Sequence, residues 1–222
     1  MNGFDDPAAV ACYAENPPRL VPGFHDLHRM TRLLLREAAP DDGRILVVGA
    51  GGGLELRAFA EAEPDWRFVG VDPSAEMLKL ARQTLGPLAG RAELHEGRVD
   101  SAPEGPFDGA SCLLTLHFVP REERVATLEQ IRRRLRPGAP LIMAHHSLPD
   151  GDARGLWLDR FAAFAADNGV EVGKAKGGAR TLGEQLPILS PETEVEQLRA
   201  AGFVDPQLFY AAFTFRGWVA RA

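Results

Sequence analysis

The sequence is poor in cysteine. Cys12 and Cys112 stand about 100 residues apart, which gives neither a disulfide framework nor a clustered metal site, so no metal is expected. No apolar run approaches the roughly 18 residues that a membrane-crossing helix needs. The opening, MNGFDDPAAV, has no cationic segment followed by an apolar stretch; no secretory signal is expected there, and a cytoplasmic setting is. A basic surplus is also missing, since 25 Lys and Arg face 31 Asp and Glu for a net charge of −6. Proteins that hold nucleic acid by neutralising phosphates show the opposite balance, so direct nucleic-acid binding is disfavoured. The one cationic run is Arg132, Arg133, Arg134 and Arg136. It falls at the end of a predicted helix, where it is expected to complement the dipole and face solvent.

What is present is an ordinary globular composition, 45% hydrophobic and 25% charged, over 222 residues. No repeat, low-complexity tract or linker divides the chain, so one domain over 1–222 is expected. A Pro- and Gly-rich arm (1–23) leads into a helix, with Leu27, Met30, Leu34 and Leu35 at helical spacing. Apolar runs at 45–48, 67–71, 92–95, 108–114 and 141–144 then alternate with helical patterns. That alternation calls for parallel strands joined by crossover helices, an α/β doubly wound sheet with helices on both faces. After residue 150 the rhythm changes. A helix carrying Leu156, Trp157, Phe161 and Phe164, read mainly as core, is followed by an expected flexible basic loop from Gly173 to Gly183. A short helix near 192–201 comes next. Runs at 204–210 and 212–219 are too close together for a crossover, so they should pair antiparallel.

The most informative stretch is Val47-Val48-Gly49-Ala50-Gly51-Gly52-Gly53-Leu54. A strand passes through glycines straight into a helix, whose first N–H groups and partial positive charge face a ligand. A nucleoside-triphosphate loop would need Gly-Lys-Ser/Thr, and no Lys follows. A dinucleotide fingerprint would need a third glycine where Leu54 stands. The spacing Gly49-x-Gly51-x-Gly53 fits the loop that receives the amino-acid end of S-adenosylmethionine. Asp72 ends the second strand 23 residues past Gly49, where a carboxylate can accept from both ribose hydroxyls. Its alternative role is to cap the next helix, for which Ser74 is already placed.

These residues resemble the class I S-adenosylmethionine-dependent methyltransferases over roughly residues 20–220. The resemblance implies a Rossmann-like, seven-stranded sheet, mostly parallel with a C-terminal antiparallel hairpin. It divides the chain into an arm and helix (1–43), a cofactor-binding core (44–150) and a lid or acceptor segment with the hairpin (151–222). It implies S-adenosylmethionine as cofactor and S-adenosylhomocysteine as product. Glu96-Gly97-Arg98-Val99 would flank the adenine, with Pro73 and Met77 packing near it. Gly49, Ala50, Gly51 and Gly53 would hold the amino-acid end, and Phe24, Leu113, Leu114 and Thr115 would line the methyl side. The stretches Val21-Pro22-Gly23-Phe24 and Leu114-Thr115-Leu116-His117-Phe118 are similar to the branch of carboxy-S-adenosylmethionine synthases, which serve wobble-uridine modification in transfer RNA. That branch has Tyr where Phe24 stands, an acidic residue at Arg98 and Asn at Leu113; its Arg for the extra carboxylate aligns loosely with Arg180.

His117, His145 and His146 follow strands four and five, at the edge where α/β sheets bind ligands. His117 and His145 are the candidate bases, since imidazole titrates near neutral pH. The expected function is methyl transfer to a small-molecule acceptor. Carboxy transfer onto the cofactor is the alternative, and a non-catalytic cofactor-binding protein is the third reading. A homodimer is compatible with all three.

Overall fold

The computed structural model describes residues 16–222. The expected arm over 1–15 and Cys12 lie outside them. The strands are β1 (Arg44–Val48), β2 (Arg67–Asp72), β3 (Ala92–Glu96), β4 (Gly109–Leu113), β5 (Pro140–His146), β6 (Val204–Ala212) and β7 (Phe215–Arg221). They form one sheet in the order β3-β2-β1-β4-β5-β7-β6. β1 to β5 pair in parallel, while β7 runs antiparallel to both β5 and β6. The helices are α1 (Asn16–Leu20), α2 (Phe24–Arg36), α3 (Leu54–Ala62), α4 (Ala75–Leu85), α5 (Arg121–Arg132), α6 (Ala153–Asp167), α7 (Val172–Gln185) and α8 (Pro191–Ala200).

Alternation along the strands sends neighbouring side chains into two separate cores. Ile45, Val47, Leu113, Ile142 and Ala144 pack with α2, α3, α4, α6 and α7 on one face. Leu46, Val48, Cys112, Leu141 and Met143 pack with α5 and α8 on the other. The sheet is therefore covered on both sides, as its continuous apolar strands require. No helix among the described residues is long and apolar enough to cross a membrane.

Four expectations are corrected. Gly173–Gly183 is not a loop but the body of α7. Glu171 caps it, its carboxylate accepting from the N–H groups of Gly173 (2.7 Å) and Lys174 (2.8 Å), and Ala175 and Ala179 bury one face four residues apart. Gly183 serves close packing there, since a Cβ would lie 2.6 Å from Leu158 Cδ1. Tertiary packing has overridden the low helix propensity of glycine. Arg134 does not face solvent. Its side chain is 1% exposed and donates to the carbonyls of Asp100 (2.9 Å), Ala102 (3.1 Å) and Gln130 (2.9 Å). The end of the arm is helical, because Pro17 and Pro18 occupy a first turn, where no N–H is required of them. Finally, the core stripe of α6 is limited to Phe161 and its neighbours. Leu156 is exposed, and half-buried Trp157 carries the guanidinium of Arg160 over its ring at 4.4 Å.

Candidate active site

Five residues, Gly49–Gly53, join β1 to α3. Gly49, Gly51 and Gly53 have φ of 75, 48 and 80°, a region that side-chain-bearing residues occupy only at a cost. Two of them must also lack a Cβ. At Gly49 it would meet Thr115 Oγ1 at 2.0 Å, and at Gly53 it would meet Ala81 Cα of α4 at 2.8 Å. Gly53 is thus the glycine that lets α3 and α4 approach, one position before the Leu54 that a dinucleotide pattern would need to change.

The turn is fastened to the end of β2. The N–H groups of Gly49 and Ala50 donate to the Val71 carbonyl at 2.8 and 3.0 Å. The Gly51 N–H donates to Asp72 Oδ2 at 2.9 Å, while Asp72 Oδ1 accepts from the Ser74 N–H at 2.9 Å. Ser74 Oγ in turn accepts from the Met77 N–H at 3.2 Å. Asp72 therefore points at the glycine turn and holds Ser74, and Ser74 rather than Asp72 caps α4. Each oxygen of an ionised carboxylate accepts more than one hydrogen bond, so these contacts leave Asp72 able to accept from a ligand.

A narrow cleft opens beside this turn. Phe24 and His28 of α2 form one wall, Leu54 and Glu55 of α3 another, and Leu113 and Leu114 after β4 a third, over Gly49, Ala50 and Gly52. Leu114 has φ 55°, an uncommon conformation for a bulky residue, and is pinned by its N–H to the Ala144 carbonyl at 2.6 Å. Strain of this kind, held by its surroundings, is a feature of ligand-binding segments. The Thr115 hydroxyl donates to the Leu113 carbonyl at 2.9 Å and buttresses Gly49.

The structure thus brings Phe24, Gly49, Ala50, Leu113 and Leu114 into one cleft and puts Gly51, Gly53, Asp72 and Thr115 into its frame. Met77 is buried in the first turn of α4, and Pro73, before that helix, is exposed. Gly97 ties the end of β3 to the Asp72 carbonyl at 3.0 Å. Just beyond it, Val99 sinks into the second core, and the exposed Arg98 side chain turns to Glu123 at 2.7 Å. Arg180 is elsewhere. It lines a wide groove between α6 and α7, and its Nε donates to Glu184 at 2.8 Å.

The candidate bases do not line the cleft. His145 and His146 are consecutive on β5 and so point into opposite cores. His146 stacks on Phe215 (4.1 Å) and bonds Thr214 Oγ1 through Nδ1 at 2.9 Å. His145 Nε2 lies 2.9 Å from Glu194 Oε1, outside the ring's donor direction, so the contact is an electrostatic approach rather than an aligned hydrogen bond. Arg124 Nη1 donates to the same oxygen at 2.8 Å. His117 sits between the two histidines, ring centroids 6.3 and 4.9 Å away. Burial first, and then the neighbouring histidines, hold its pKa well below the ordinary value. Burial and His145 press His146 down to about 3.

Four lining residues, His28, Gly52, Leu54 and Glu55, were not among the expected site residues, and two of them are titratable. His28 is buried and lowered to about 4, first by burial and then by His25. Glu55 is buried and raised to about 8 by burial, with partial relief from the Ser111 hydroxyl. A signal existed for Glu55. It takes the position four before Phe59 and next to Leu56, on the face that α3 buries, whereas an acid in a first turn is ordinarily read as an exposed complement to the dipole.

Residues 45–138 match the family model described as "Methyltransferase domain". Among curated proteins, the chain is similar to the carboxy-S-adenosyl-L-methionine synthase of Chromohalobacter salexigens, 27% identical over 97% of this chain and 82% of the relative. It is likewise similar to that of Actinobacillus succinogenes, 26% identical over 91% and 86%. Among solved structures, an O-methyltransferase family protein from Burkholderia thailandensis aligns with a TM-score of 0.70 at 15% identity, over 97% of this chain and 60% of that one. A putative O-methyltransferase from Nostoc punctiforme aligns at 0.67 and 20%, over 100% and 68%. The chain spans 56% of the methyltransferase SibL, whose fold it also shares at a TM-score of 0.61 and 18% identity over 90% of this chain. Together with the sheet order and the glycine turn, these likenesses support a class I S-adenosylmethionine-dependent methyltransferase. Both curated relatives are carboxy-S-adenosyl-L-methionine synthases.

Proposed function

We propose that this enzyme transfers a methyl group from S-adenosylmethionine to a small-molecule acceptor and leaves S-adenosylhomocysteine. The residues present suit that cofactor, with a glycine turn running straight into a helix start, a carboxylate at the tip of β2 aimed toward it, and an adjoining cleft. When bound, S-adenosylmethionine supplies an electrophilic sulfonium methyl, so the protein has chiefly to position and desolvate. Gly49, Ala50 and Gly51 approach the amino-acid end, and Asp72 accepts from the ribose hydroxyls. Pro73 and Met77 flank the adenine on one side and the backbone at Arg98 and Val99 on the other. Phe24, Leu113, Leu114 and Thr115 bound the methyl side. Burial of His117 and His145, and the depressed basicity of His117, favour positioning over a base; His117→Gln and His145→Gln are then expected to keep most of the methylation rate.

The observation that carries methyl transfer over carboxy transfer is the lining of the cleft, which includes no Arg or Lys among the described residues. An extra carboxylate on the cofactor would lack a cation to receive it, and Arg180 faces a different groove. The second reading, a carboxy-S-adenosylmethionine synthase-like enzyme linked to transfer RNA modification, is favoured by the curated relatives. Mass spectrometry of the ligand that co-purifies separates them. S-adenosylmethionine or S-adenosylhomocysteine supports methyl transfer, the carboxylated form supports the second reading, and a nicotinamide nucleotide removes both.

A further inference from the structure

We propose that Glu55 binds the α-ammonium group of the cofactor's amino-acid end, as a buried anion at the start of α3. The inference rests on the cofactor site proposed above and adds a charged residue to it. Glu55 is 7% exposed and lines the cleft beside Gly49, Ala50 and Gly52. Its Oε1 has no aligned hydrogen-bond partner among the described residues; the Ser111 hydroxyl on β4 gives it only partial relief, and the buried Thr31 hydroxyl on α2 is likewise without an aligned partner. Ionised in that state, a buried carboxylate is costly, and the described lining offers no Lys or Arg to offset the cost. A cationic group on a ligand would supply the partner that the ionised form lacks. A methionine-type end is a zwitterion, so an amide-rich turn at a helix start accounts for its carboxylate only. Its ammonium needs an anion within the same few ångströms, and Glu55 is the carboxylate that lines the cleft.

A consequence follows for protons. Glu55 stays protonated up to about 8 in the free protein, while an ammonium beside it favours the ionised form. The titratable groups around it are His28 on α2, held neutral, and Cys112 on β4, held as the thiol by burial. Binding at pH 7 should therefore release close to one proton from Glu55.

The test is calorimetric titration of the full chain and of Glu55→Gln at pH 7. The ligands are S-adenosylhomocysteine, which carries the amino-acid end, and 5′-methylthioadenosine, which lacks it; each is run in two buffers of different ionisation enthalpy. We expect Glu55→Gln to bind S-adenosylhomocysteine roughly tenfold or more weakly, the scale of one charge-assisted hydrogen bond. It should bind methylthioadenosine as the parent does and lose the proton release. Equal affinity of both proteins for S-adenosylhomocysteine would overturn the role of Glu55 and leave the cofactor site standing. A parallel loss for both ligands would also overturn it, in favour of a purely structural residue. Failure of the parent chain to bind either ligand would instead overturn the cofactor site itself.

Discussion

Glu55, Glu63 and Glu194 are buried among the described residues, and the surroundings of Glu194 and Glu55 differ in kind. Glu194 of α8 sits in the second core with Arg124 Nη1 at 2.8 Å and His145 Nε2 at 2.9 Å. Burial by itself would raise its pKa, but those two partners hold it below the ordinary carboxylate value. Glu55 of α3 sits at the mouth of the first core without an aligned partner on Oε1, and burial pushes it up to about 8. The comparison teaches how to tell a structural buried charge from a functional one. The first closes on groups within the chain; the second borders a cleft and is left one partner short.

The largest effect should come from opening the closed cluster. Glu194→Ala leaves the Arg124 guanidinium buried without its carboxylate, and losses of this sort cost about 3–5 kcal/mol. Chemical denaturation should show that drop, and an unchanged midpoint would mean the cluster is incidental to the fold. Next comes Gly49→Ala, which forces a Cβ onto Thr115 at positive φ. It should cost about 1–3 kcal/mol of stability and at least tenfold in cofactor affinity; wild-type binding would show that the turn does not touch the ligand.

The pH dependence separates the two glutamates by sign. A carboxyl whose folded pKa is raised keeps its full contribution below its unfolded value, near 4.5, and loses it as pH rises through about 8. Glu55→Gln should therefore match the parent in stability at pH 4.5 and exceed it at pH 8.5. Glu194, being lowered, should behave in the opposite sense, with its contribution lost as pH falls below 4.5. His28 and His146 add to acid sensitivity, because their depressed values withdraw stability as pH falls from 6.5 toward about 4 and 3. Thermal unfolding across pH 4 to 9 would show these slopes. The smallest effect is expected from Arg180→Ala. That residue is exposed and, among the described residues, paired with Glu184, so stability should change by less than about 0.5 kcal/mol, and calorimetry should find unaltered cofactor affinity. A clear loss there would revive the carboxylate-binding alignment.

The fold was legible because its signals are local. Five apolar runs separated by helical stripes dictate a parallel sheet, and two runs with no room for a crossover dictate the hairpin. The frame of the site was legible for the same reason, with glycines after one strand and a carboxylate at the tip of the next. What escaped depends on distant contacts. The glycines of α7 read as a loop because nothing nearby reveals that Ala175, Ala179 and Gly183 pack on α6. Arg134 read as a surface cation because its partners are carbonyls about 30 residues back. Glu55 was given no role because α2 and β4, which bury it, are brought to it by tertiary packing.

The central claim is that a nucleoside bearing a sulfonium sits between the glycine turn and Asp72. A crystal structure with S-adenosylhomocysteine bound tests it directly. The ribose hydroxyls should lie within hydrogen-bond distance of the Asp72 carboxylate, with the amino-acid end over Gly49–Gly51. Density in the α6–α7 groove instead, or a ribose out of reach of Asp72, would contradict it.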